Sequence, residues 1–160
     1  MRHPSYVALL ALLQLGACSK SEPAPEPAPP PAAPAAKSAE APRPSIEDNT
    51  FKLVLSGEPA YEGGKPGVAK LTLEARGGYH VNQEYPIRVD LKAPAGVKLT
   101  KPSLGRTDAA AFGERSAEFA LPFSADPGAH ALTATVDFAV CTAETCVPDQ
   151  RTVALDLKVQ

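Results

Sequence analysis

Five stretches of this chain alternate, residue by residue, between an apolar set and a mostly polar one. Phe51, Leu53 and Leu55 alternate with Lys52 and Val54. Ala69, Leu71, Leu73 and Ala75 alternate with Lys70, Thr72 and Glu74. Ile87, Val89 and Leu91 do so with Arg88, Asp90 and Lys92. Leu132, Ala134, Val136, Phe138 and Val140 do so with Thr133, Thr135, Asp137 and Ala139. Val153, Leu155, Leu157 and Val159 form the last set. A period of two sends successive side chains to opposite sides, so each stretch predicts a strand with one buried face.

Turn chemistry separates these strands. It appears in Glu62-Gly63-Gly64-Lys65-Pro66-Gly67, Gly77-Gly78, Ala93-Pro94-Ala95-Gly96 and Asp126-Pro127-Gly128. Weaker strands are predicted at 97–100 and 116–123, and a helical turn only at 108–112. About seven to nine short strands in residues 46–160 predict an all-β, immunoglobulin-like β-sandwich. The chain has no tryptophan, and an inter-sheet disulfide of the antibody kind is not expected, so that likeness is one of architecture.

The composition shifts sharply before residue 46. Arg2 and His3 precede an apolar run from Val7 to Leu15, and Leu15-Gly16-Ala17-Cys18 follows. The run is too short to span a bilayer, so residues 1–17 read as an export signal. Small residues before a cysteine match the bacterial lipobox, which predicts cleavage and lipidation at Cys18. The alternative is an ordinary secretory signal with an incidental cysteine. Residues 18–45 carry Pro29-Pro30-Pro31 and Ala/Pro alternation up to Pro44. Proline removes backbone donors and little there is bulky, so a disordered, semi-rigid spacer is predicted. At about 3.1 Å per residue it would reach roughly 80 Å. A Pro-rich ligand for a binding module is the other reading of this segment. The expected location is the bacterial cell envelope, lipid-anchored and facing the periplasm, rather than threaded through the membrane.

The formal net charge of −2 offers no basic footprint for nucleic acid. No cofactor, metal or small-molecule substrate is expected. His80 and His130 are scattered in sequence, and the one methionine is Met1, so neither a zinc nor a soft copper site matches. No Gly-rich phosphate loop or nucleophile elbow is present. Tyr79, His80 and Tyr85 are candidates for a surface site, or else residues that flank strands and turns.

Removing Cys18 from the three cysteines leaves Cys141 and Cys146, an even count for an oxidising compartment. Strand parity groups Cys141 with Thr133, Thr135 and Asp137, which predicts a sulfur facing outward and within a partner's reach. Pro148 is expected to break the register after Cys146. Closing so small a loop stabilises by only about 2 kcal/mol in the chain-entropy model. A structural staple of the hairpin and a dithiol/disulfide switch both remain open. Acidic Glu144 and Asp149 disfavour a thiolate, Arg151 is the nearby cation, and His130 sits at the far end of the strand.

Three stretches carry a resemblance to a known family. They are Gly78-Tyr79-His80-Val81-Asn82, then Ala93-Pro94-Ala95-Gly96-Val97-Lys98-Leu99, and above all Val136-Asp137-Phe138-Ala139-Val140-Cys141 through Cys146-Val147-Pro148. Over residues 50–160 the chain resembles the N-terminal periplasmic domain of the thiol–disulfide interchange protein DsbD. The resemblance implies an immunoglobulin-like fold with Cys141 and Cys146 as a redox-active pair. It also implies partners among periplasmic thiol or thioredoxin-like proteins. A shielding cap loop with an aromatic is implied too, and Phe112 in Ala111-Phe112-Gly113 falls near its place. This sequence carries neither the membrane domain nor the thioredoxin-like domain of a full-length DsbD, so the electrons are expected to come from another protein. Two functions follow: a lipid-anchored disulfide-exchange carrier, or a non-catalytic envelope adaptor whose disulfide stays closed.

Overall fold

The computed structural model describes residues 43–160. The expected export signal, Cys18 and all but the end of the Pro/Ala-rich spacer lie outside the described residues. The strands are β1 Ser45–Glu47, β2 Phe51–Ser56, β3 Pro66–Ala75, β4 His80–Val81, β5 Arg88–Lys92 and β6 Val97–Leu99. They continue with β7 Ser103–Gly105, β8 Ala111–Phe112, β9 Ser116–Ala125, β10 Gly128–Cys141 and β11 Cys146–Val159. A 3-10 turn occupies Arg106–Asp108. One sheet runs β1-β2-β3-β9-β6, with β8 also on β9. The other runs β11-β10-β5-β7, with β4 also on β10. Every named pairing is antiparallel.

The alternation seen in sequence becomes burial. Phe51, Leu53 and Leu55 on β2 face Val136, Phe138 and Leu132 on β10, in one shared core cluster with Leu71, Leu73, Phe119 and Val153. Phe51 and Phe138 meet edge to face across the two sheets, ring centroids 4.8 Å apart, the arrangement that ring quadrupoles favour. Two antiparallel sheets closed on a single core make this an immunoglobulin-like β-sandwich. All seven predicted strands are present. The four unpredicted strands, β1, β4, β7 and β8, have two or three residues each, too few for a period to register.

Two local expectations are corrected. The helical turn forms at Arg106–Asp108, not 108–112: Asp108 Oδ2 accepts the Gly105 N–H at 2.9 Å and caps its start, and Ala109 leaves it in an extended conformation. Ala111 and Phe112 then pair with β9. Pro148 does not break the register: β10 and β11 stay paired from Gly128↔Val159 to Cys141↔Cys146. The backbone edge of Ala139, opposite Pro148, faces the other way, its carbonyl accepting from Asn82 N–H at 2.9 Å. Proline's missing donor therefore falls on the outer edge of an edge strand, where it breaks no ladder bond.

The feature that builds the site is a swelling in the strand beside β10. Val81 pairs with Val140 and Arg88 with Asp137. Residues 82–87 thus stand opposite only Phe138 and Ala139. The surplus chain must leave the sheet, and it carries Asn82 and Tyr85 with it. Entry into β4 depends on Gly77 and Gly78, both at positive φ (59° and 82°). A Cβ at Gly77 would also collide with the Asn49 carbonyl oxygen.

Candidate functional site

Hydrogen-bond alternation along β10 decides how the cysteines meet. Ala139 bonds away from β11, so Ala139–Pro148 and Cys141–Cys146 are among the non-hydrogen-bonded pairs of that ladder, in which side chains approach most closely. The Cys141 and Cys146 Cα atoms are 4.0 Å apart and the sulfurs are joined in a disulfide. The connecting loop satisfies itself. Thr142 N–H donates to the Thr145 carbonyl at 2.8 Å, and Thr142 Oγ1 accepts from the Thr145 and Glu144 N–H groups at 3.2 and 3.3 Å.

The two sulfur-bearing residues are not equivalent. Cys141 is 3 % exposed, whereas Cys146 is exposed. The expectation of a reachable Cys141 is therefore corrected: the reachable partner is Cys146. Parity itself was sound, because Ala139 and Cys141 are buried yet lie outside the main core cluster that holds Phe138 and Val140. They face the outer side of the sheet. Cys141 is covered there because Cys146 flanks it on β11, His80 opposes it on β4, and Asn82 lies against its sulfur.

Asn82 is the residue that sequence reasoning missed. Its Oδ1 accepts the N–H groups of Glu84 (2.8 Å) and Tyr85 (3.1 Å). Those two donors fix which end of the amide is oxygen. Its Nδ2 then points at both sulfurs, 3.2 Å from Cys141 Sγ and 3.6 Å from Cys146 Sγ. An asparagine ahead of Glu84-Tyr85-Pro86 is legible as a turn former. Its target is not, because that depends on the β4–β10 register.

The other candidates are placed as follows. His80 is not scattered from the pair: it stands directly across β4 from Cys141, on the same sheet face. Tyr79 packs against the core. Tyr85 lines an open hollow of about 540 Å³ with Pro86, Arg88, Lys101, Asp108 and Asp137. Phe112 sits on β8, with the Arg106 guanidinium 5.1 Å from its ring centroid. Arg106 Nη1 in turn donates to the Gln83 carbonyl at 2.6 Å. Phe112 is thus linked to the swelling through Arg106, and Asn82 supplies the contact to the sulfurs. His130 lies at the opposite end of β10, roughly 35 Å away at strand rise. There it bonds the Asp126 carbonyl at 2.8 Å.

Arg151 is not a cation for the thiol. It pairs with Asp149 at 2.8 Å and Asp48 at 3.9 Å, and its guanidinium lies 5.6 Å from the Phe51 ring centroid. Strand parity puts this cluster on the core side of β11, away from Cys146. Burial alone would raise the Asp48 carboxyl. The Thr50 N–H and hydroxyl, the Phe51 N–H and the Arg151 charge together outweigh it and hold the group below its ordinary value. Among the described residues, no cluster of three or more His, Cys, Asp or Glu is placed to hold a metal ion.

No protein-family model matches the chain, and no curated protein matches it. Solved structures do. The GAE domain of GGA2p from Saccharomyces cerevisiae aligns at 14% identity over 71% of this chain and 96% of that one, with a TM-score of 0.42. AggA, the major subunit of aggregative adherence fimbriae type I from Escherichia coli, aligns at 12% identity over 70% and 97%, with a TM-score of 0.33. The paired sheets and their shared core, not these alignments, make the domain an immunoglobulin-like sandwich, and among the described residues it bears one hairpin disulfide.

Proposed function

We propose that this protein is a thiol–disulfide exchange carrier, held in the bacterial envelope by a lipid on Cys18 and working on periplasmic thiol or thioredoxin-like proteins. The observation that carries it is the asymmetry of the pair: one cysteine is an exposed residue, and the other is buried with an amide donor at its sulfur. Exchange needs one sulfur that an incoming thiolate can reach in line with the bond that breaks. As the exposed residue of the two, Cys146 is the one assigned to be attacked, with Cys141 as the leaving group. The sequence resemblance to the N-terminal domain of DsbD supports exchange at this pair without distinguishing the two cysteines. The resulting mixed disulfide joins the partner to Cys146. The partner's second thiol then attacks its own bridged sulfur and releases Cys146, so two electrons pass to this domain. The reverse sequence delivers them.

A closed disulfide in a non-catalytic adaptor is the second reading, favoured by the same burial of Cys141 and by the self-satisfied Thr142–Thr145 loop. Replacing both cysteines with serine separates the two. The core keeps the fold, at a loss of about 2 kcal/mol, and exchange disappears. Reduced wild-type domain is expected to reduce an oxidised thioredoxin-like protein from the same envelope, and the double variant to leave it oxidised. Full retention of envelope function by the double variant would favour the adaptor and exclude the carrier.

A further inference from the structure

We propose, on the basis that the pair exchanges disulfides, that Asn82 is the donor that receives the Cys141 thiolate as it leaves. A disulfide sulfur is a weak acceptor, whereas a thiolate accepts a charge-assisted hydrogen bond of roughly twice the strength of a neutral one. An N–H already aimed at the leaving sulfur therefore favours the products of bond cleavage over the closed disulfide. The amide is aimed before reaction. Its oxygen is held by Glu84 and Tyr85 N–H, its own N–H anchors it to Ala139, and its Nδ2 sits 3.2 Å from Cys141 Sγ. Arg151, the cation nearest in sequence, is bound to Asp149 and Asp48 instead. A neutral amide thus supplies the donor that Arg151 does not.

The step balances simply. The incoming thiolate's lone pair makes the new bond to Cys146 Sγ, and the electron pair of the Cys141–Cys146 bond goes to Cys141 Sγ. Asn82 donates without giving up its proton. Because Nδ2 is also 3.6 Å from Cys146 Sγ, the same fixed amide has a second hydrogen for Cys146 when that residue is the attacking thiolate.

The test is the rate at which dithiothreitol reduces the full oxidised chain, read by alkylation and mass. Asn82→Asp keeps the oxygen that holds the turn but replaces the donor. Asn82→Ser keeps a turn acceptor without adding charge, and its hydroxyl is too short to reach both roles. Both variants are expected to react about tenfold more slowly than wild type, with thermal midpoints unchanged. A second readout excludes a merely structural role. In a Cys146→Ser background, the pH midpoint for alkylating Cys141 is expected to rise when Asn82 is changed. His80 across β4, Glu144 in the loop, Glu114 beside β4, and Asp149 and Arg151 on the reverse face of β11 are common to every variant compared. Wild-type rates in both Asn82 variants, or slowing in Asn82→Asp alone, would overturn the donor role. A wild-type disulfide that resists excess dithiothreitol would instead sink the exchange function itself, leaving the two failures distinguishable.

Discussion

A Cys141→Ser variant is expected to accumulate mixed disulfides with envelope thiol proteins, while Cys146→Ser is expected to yield at least about tenfold less. The difference follows from exposure. Removing Cys141 leaves Cys146 at the mouth of the β10–β11 hairpin with no second thiol to resolve the adduct. Removing Cys146 leaves a thiol that is 3 % exposed, between His80 and the Asn82 amide. The check is non-reducing electrophoresis and mass spectrometry on each variant after exposure to an envelope extract, with oxidised glutathione as a defined probe in parallel. Equal yields, or a greater yield from Cys146→Ser, would mean that the swelling over Cys141 opens freely and that the assignment of the attacked sulfur is wrong.

Phe138→Ala is expected to remove about 3–5 kcal/mol of stability, which is a large share of the roughly 5–15 kcal/mol typical of a domain. Phe138 is fully buried on β10 and meets Phe51 edge to face across the sandwich. Its loss leaves a cavity between two sheets that are hydrogen-bonded laterally and cannot easily collapse inward. Urea unfolding with an unchanged slope measures the loss directly. The comparison with the cysteine pair matters for function. Reducing the disulfide forfeits only about 2 kcal/mol, so the core holds the fold whichever redox state the pair is in. A reduced wild-type domain that unfolds more readily than Phe138→Ala would show the disulfide to be a staple after all.

How much was legible in the sequence depends on whether the signal was local. The long strands and their buried faces were written in a period of two, and even the outward parity of Cys141 was correct. Its burial was not legible, because the cover comes from His80 and Asn82, some sixty positions earlier in the chain. β4 has two residues and leaves no pattern, so the swelling at 82–87 could not be drawn. Pro148 was read by its usual effect within a sheet, yet its strand turned out to be an edge with the missing N–H outward. Arg151 and Asp149 were near the cysteines in sequence, but alternation sent them to the opposite face of β11 from Cys146. Sequence distance misplaced His80 and Arg151 relative to the sulfurs, and register put each where it belongs.

The most direct test of the exchange function is the reduction potential of the Cys141–Cys146 pair. It is obtained by equilibrating the full chain in dithiothreitol or glutathione buffers of known potential and trapping the thiols. A midpoint well above about −300 mV, in the range of proteins that trade disulfides, is the predicted result. A midpoint below about −300 mV, where structural bridges lie, would contradict it.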